Sequence, residues 1–187
     1  MDPLQRFEQA SRRFLPSRMR LLFIAEAPPA FKANRLFYFT DLRQGDTLFL
    51  EMMKVLYPHE TGFTGYGFRA GGSVRDIRRQ KESLLQRFQA DGYFLIDAHR
   101  EPMPDDASKR TKTALMTASL PELRARLQHL LGKRDIPIIL IGGVTYTVCA
   151  DALRADGRNV LNQGMMNHPA RGGQVLFRKK LKAVLDL

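Results

Sequence analysis

Four short apolar runs constrain this chain more than anything else in it: LLFIA (21–25), YFLID (93–97), IPIILIG (136–142) and NVLNQ (159–163). Turn residues bound each run and none alternates strictly, which is how strands read when both sheet faces are covered. Between them lie stretches with helical spacing: TLFLEMMKVLY, SVRDIRRQKESLLQRFQADG, LPELRARLQHLLGK, TYTVCADALRADG and VLFRKKLKAVLDL. In the second, Ile77, Leu84, Leu85 and Phe88 share a face and Gly92 supplies a stop. In the third, Leu120, Leu123, Leu127, Leu130 and Leu131 recur at helical intervals. Strands alternating with helices predict an α/β fold, a three-layer α/β/α arrangement around a four-stranded, mainly parallel sheet. At 187 residues with 44% apolar content, the chain suits one domain spanning 1–187, with residues 1–19 as a basic helical extension.

The charge is lopsided. Thirty Lys and Arg against nineteen Asp and Glu leave a net +11. Arginine's planar fork suits phosphate oxygens, so a polyanion, nucleic acid before membrane, is the expected partner. The single cysteine, Cys149, excludes a disulfide framework and a four-thiolate cluster within the chain. His59, His99, His129 and His168 are scattered without metal-ligand spacing, so no metal is expected. The N-terminal segment lacks a continuous apolar core, and no run approaches the ~20 apolar residues of a membrane span. A cytoplasmic monomer with no membrane association is the expectation.

In parallel α/β sheets ligands sit beyond the carboxyl ends of the strands. The residues at those ends are Glu26 before Ala27-Pro28-Pro29, Asp97 before Ala98-His99-Arg100, the Gly142-Gly143 pair, and Asn167-His168-Pro169 followed by ARGGQ. Glu26, held in a proline-stiffened turn, can orient a water or stabilise a growing positive charge; it can equally cap the turn or pair with an arginine. Pro169 restricts the backbone of His168 to extended geometry and so aims its imidazole, whether toward a ligand or toward a neighbour in the loop. Gly172 and Gly173 allow close backbone approach, and Arg171 between them and Ala170 suits a phosphate or a base step. The glycine- and aromatic-rich TGFTGYGFRAGGS (61–73) reads as a loop over a site or a stacking surface. SKRTK (108–112) reads most simply as a solvated basic loop.

Taken together these strand ends resemble the uracil-DNA glycosylase superfamily. The first motif of that family is a strand ending in Gly-(Glu/Asp/Gln/Met/Ile)-x-Pro, and here Ala25-Glu26-Ala27-Pro28-Pro29 stands in its place. The last is a His-Pro-(Ser/Ala) turn, matched by His168-Pro169-Ala170. GYFLIDAHREPMP resembles the base-reading strand and IILIGGVTYTVCADAL the strand–Gly–helix that follows. The resemblance implies a monofunctional, cofactor-free enzyme that flips a damaged or deaminated base and hydrolyses its N-glycosidic bond. It implies Glu26 and His168 as catalytic, Asp97 as base-reading, and Phe37, Tyr38 or Phe39 as the stacking ring. It also implies single- or double-stranded DNA as the partner, contacted by Arg171, Gly172, Gly173 and Arg100. Three positions depart from the pattern: Ala25 and Pro29 replace glycines, and Asp97 replaces an asparagine, which points away from uracil as the base. The cluster-ligating cysteines are absent. A catalytically inactive nucleic-acid-binding module of the same fold is the alternative reading.

Overall fold

A computed structural model describes residues 2–30, 35–41, 44–104, 106–170 and 172–187. Three parallel strands, β1 (Leu21–Ala25), β2 (Tyr93–Asp97) and β3 (Ile138–Leu140), form a sheet in the order β2-β1-β3. All five residues of β1 are buried, as its unbroken apolar run requires of a central strand. Around the sheet, in chain order, are α1 (Pro3–Arg13), α2 (Thr47–Leu56), α3 (Pro58–Thr61), α4 (Val74–Arg79), α5 (Lys81–Ala90), α6 (Lys109–Leu131), α7 (Gly143–Ala155) and α8 (Gln174–Leu185). Phe23 of β1 stacks on Phe88 of α5 on one face, while Phe94 and Ile96 of β2 share a cavity wall with Ala125 and Leu130 of α6 on the other. Helices therefore lie on both faces of a mixed α/β structure. No helix among the described residues is long and apolar enough to cross a membrane.

Only three of the four expected strands form among the described residues. The 159–163 run makes a single bridge, Val160 beside Ile138, with Ile138 N–H donating to Asn159 O (2.7 Å) and Leu161 N–H to Ile138 O (2.9 Å). Beyond that point the side chain of Asn162 replaces the backbone. Its Oδ1 accepts from Leu140 N–H (3.0 Å) and its Nδ2 donates to Leu140 O (3.2 Å), so an amide imitates the missing strand. The polar side chain competes for the ladder in the way that short amides generally do.

The opposite edge is closed by other side chains. Tyr38 hydroxyl accepts from Leu95 N–H (2.7 Å) and donates to Leu95 O (3.0 Å), and Arg126 donates to the carbonyls of Asp97 (2.9 Å) and Ala98 (2.6 Å). Both edges are thus blunted without a further strand.

The segment ahead of β1 packs on the core. Phe7 and Phe14 are buried in the common core, and Gln89 donates to the carbonyls of Arg13 and Leu15. The 73–92 helix breaks at Gln80 into α4 and α5. The basic segment 108–112 is the start of α6 rather than a loop, because Ser108 caps the helix by accepting from Thr111 N–H (3.1 Å). The helix then runs through Pro121, where the sequence pattern had suggested a beginning.

Replacing Asn162, 2% exposed, with leucine leaves Leu140 N–H and C=O buried and unpaired. We expect a loss of about 2–4 kcal/mol of unfolding free energy, read from urea midpoints at unchanged slope; a loss below about 0.5 kcal/mol would show that the amide does not act as the sheet edge.

Candidate functional site

The ends of β1 and β2 are locked in register beyond the strands themselves. Ala25 pairs with Asp97, Ala98 N–H donates to Ala25 O (2.8 Å) and His99 N–H donates to Glu26 O (3.0 Å). On the other flank Ile141 N–H reaches Ile24 O (2.8 Å) and Gly142 N–H reaches Met166 O (2.7 Å). These bonds carry Glu26, Asp97, Gly142 and the His168 turn to one rim.

A cavity of about 340 Å³ opens there. Ala25, Ala27, Phe37, Phe49, Asp97 and His168 are among its lining residues. Its size falls in the usual range for small-molecule sites. A larger hollow of about 710 Å³ lies between α1, β2 and α6; Asp97 borders it too, but Glu26 and His168 do not.

Asp97 is, with Asp46, one of two carboxylates on the cavity wall. Burial pushes its carboxyl up to about 7, with the Arg126 guanidinium pulling the other way. Near neutrality it is present both as a donor and as an acceptor, a property that an asparagine would have permanently. His168 stands on the rim with much of its surface open. Its Nδ1 accepts from Ala170 N–H (3.2 Å), which in the neutral ring leaves the proton on Nε2 as a donor. Desolvation by the surrounding protein, and then Lys112, hold its pKa below the ordinary histidine value. The donor is therefore neutral imidazole rather than imidazolium.

Glu26 does not line the cavity, although both its neighbours do. Its side chain turns toward α7 and α6. A Cβ built on Gly142 would lie 3.5 Å from Glu26 Oε2 and 2.9 Å from Thr145 Oγ1, and Gly142 has φ +116°, so a side chain there is excluded twice. Lys112 Nζ, in the first turn of α6, is 3.5 Å from Glu26 Oε1. Lys112 thus touches one candidate catalytic residue and acts electrostatically on the other. Reading residues 108–112 as a loop hid it; Ser108 as a helix cap was the available signal. The first turn of α6 also carries Lys109 and Arg110 and no acid. Cations at a helix N-terminus oppose the helix dipole at roughly 0.3–1 kcal/mol each, so the helix itself gains nothing from them.

The remaining candidates divide. Phe37 lines the cavity and packs edge-on against Phe49 (5.5 Å between centroids). Tyr38 is committed to β2, and Phe39 packs on Phe7 of α1 (5.2 Å), so neither ring reaches the cavity wall. Arg100 is held by Glu8 and by Glu122 (3.1 Å), which neutralises it away from the cavity. Gly172 adopts φ +90°, and a Cβ on Gly173 would lie 3.2 Å from His168 O, so the turn after His168 needs both glycines. Arg171 lies outside the described residues. Segment 61–73 forms a tight hairpin turn, with Phe63 bridging Phe68 and Tyr66 fully exposed at its tip. Asp46, which also lines the cavity, accepts two bonds from Arg78 (3.0 and 2.9 Å) with buried Lys81 at 3.7 Å, anchoring the start of α2. No group of three or more potential metal ligands occurs among the described residues. No protein-family model matches this sequence, and a comparison with curated proteins returns no match.

Asp97 also links the site to stability. Its folded value of about 7 lies above the ordinary 3.8, so its protonated form favours folding below about pH 4 and that contribution is lost as pH rises through 7. Asp97→Asn is neutral throughout. Its Tm should exceed that of the parent by an amount that grows from about pH 4 to about pH 7 and then levels off, on the order of 5 °C. A difference independent of pH would mean that Asp97 is not desolvated.

Proposed function

We propose that this chain releases a damaged or deaminated base from DNA by hydrolysing the N-glycosidic bond, with a fold of the uracil-DNA glycosylase type whose fourth strand is reduced to the Val160 bridge. The observation that carries this reading is that one small cavity is lined both by His168, whose Nδ1 accepts from Ala170 N–H and so leaves Nε2 as the donor, and by Asp97. A flipped base fits such a site: Phe37 offers a ring for stacking, Asp97 reads the base edge, and His168 donates to a base oxygen as the bond breaks. The sugar then stays at the mouth, where Glu26 stabilises positive charge at C1′ and orients the attacking water. With a carboxyl near its midpoint at neutral pH, the site suits bases that present amino or imino protons as well as carbonyls. The basic first turn of α6, placed against its own helix dipole beside Glu26, supports a phosphate backbone at this rim.

Oligonucleotides carrying uracil, hypoxanthine, xanthine and oxidised pyrimidines, single-stranded and mismatched, test the reading by alkali-revealed abasic sites. At least one should lose its base. His168→Ala and Glu26→Gln should each slow release by about 10²–10³-fold, with DNA affinity little changed and falling with salt. Salt-dependent binding without release from any substrate would favour the inactive binding module, and no binding at low salt would defeat both readings.

A further inference from the structure

The cavity accounts for Asp97 and His168 but leaves Lys112 unexplained. Its amine is 3.5 Å from Glu26 Oε1, the two side chains are 33% and 22% exposed, and neither residue lines the cavity. If the base occupies the cavity, the sugar lies at its mouth, beside this amine–carboxylate pair. The helix dipole gains nothing from Lys112, and Glu26 needs no buried counter-ion because it is partly solvated. An amine next to a carboxylate, both partly exposed, at the place where an aldehyde carbon would sit, has a specific chemical use.

We infer that Lys112 forms an imine with C1′ of an abasic deoxyribose and breaks the DNA strand by β-elimination, a lyase activity additional to base release. Glu26 accepts a proton from the ammonium of Lys112, and the freed Nζ adds to C1′ of the ring-opened aldehyde. Glu26 returns that proton to the carbinolamine hydroxyl, which leaves as water and gives the protonated imine, with Glu26 ionised again. A carboxylate, Glu26 being the nearest, removes a C2′ proton; the C2′–H electrons form the C1′=C2′ enamine. Return of the nitrogen lone pair to the imine then makes the C2′=C3′ bond and expels the 3′ phosphate. Water adds back to C1′, releasing the unsaturated aldehyde and restoring the free amine. No oxidant or reductant takes part, since the water lost at imine formation is regained at hydrolysis.

This inference rests on the sugar lying beside Glu26 as in the proposed function, but an oligonucleotide with a preformed abasic site tests it without any base release. Wild-type protein incubated with that DNA and sodium borohydride should give a one-to-one covalent adduct, and without borohydride a β-elimination nick. Lys112→Arg keeps the charge and removes the nucleophile; it should bind abasic DNA within about threefold of wild type by fluorescence anisotropy while losing adduct and nick. Lys112→Gln should lose both as well, and Glu26→Gln should slow the adduct without abolishing it. An absence of adduct with wild-type protein, whether or not it binds abasic DNA, would overturn the inference. So would an adduct that persists in Lys112→Arg. Failure of the lesion panel with a positive borohydride adduct would remove base release and leave the lyase standing.

Discussion

Everything at the rim depends on hydrogen bonding to both sides of β1. The strand is buried throughout, pairs with β2 over five residues and with β3 over three, and its ladder continues past Ala25 through the amides of Ala98 and His99. A residue just past a solvated strand would be free to wander. Glu26 cannot, because its carbonyl is bonded and Pro28 and Pro29 restrict the turn that follows. The carboxylate is therefore delivered by a buried strand that is bonded on both sides.

A three-stranded sheet has two edges close to the site, and both are finished by side chains. Tyr38 and Arg126 occupy the outer edge of β2, and Asn162 that of β3. The same groups shape the chemistry. Arg126 fixes the carbonyl of Asp97 while its charge opposes the full desolvation of the carboxyl, and the segment closed by Asn162 leads directly to Met166 and the His168 turn. Sheet termination and site construction are one arrangement.

The sequence made parts of this legible and concealed others. β1 and β2 have the limits that their apolar runs suggest, since a buried strand needs an uninterrupted apolar stretch. β3 is shorter than its run, and NVLNQ fails as a strand because Asn162 bonds to the neighbouring backbone with its amide. Glu26, Asp97 and His168 were visible as strand-end residues. Lys112 was not, because Pro121 imitates a helix start and the true beginning twelve residues earlier carries the wrong charge for a helix N-terminus. Tyr38, Phe39 and Arg100 look like site residues in sequence; their commitments to β2, α1 and Glu8 with Glu122 are tertiary facts that no local pattern encodes.

The first turn of α6 has one more consequence. Lys109, Arg110 and Lys112 stand where a helix ordinarily gathers acids, so in the free protein this turn works against itself. A bound polyanion would supply the negative charge that the sequence withholds, and its phosphates would do for α6 what an acidic first turn does elsewhere. Ligand binding and helix integrity would then be thermodynamically linked: whatever affinity the turn conferred would be reduced by the cost of holding it ready.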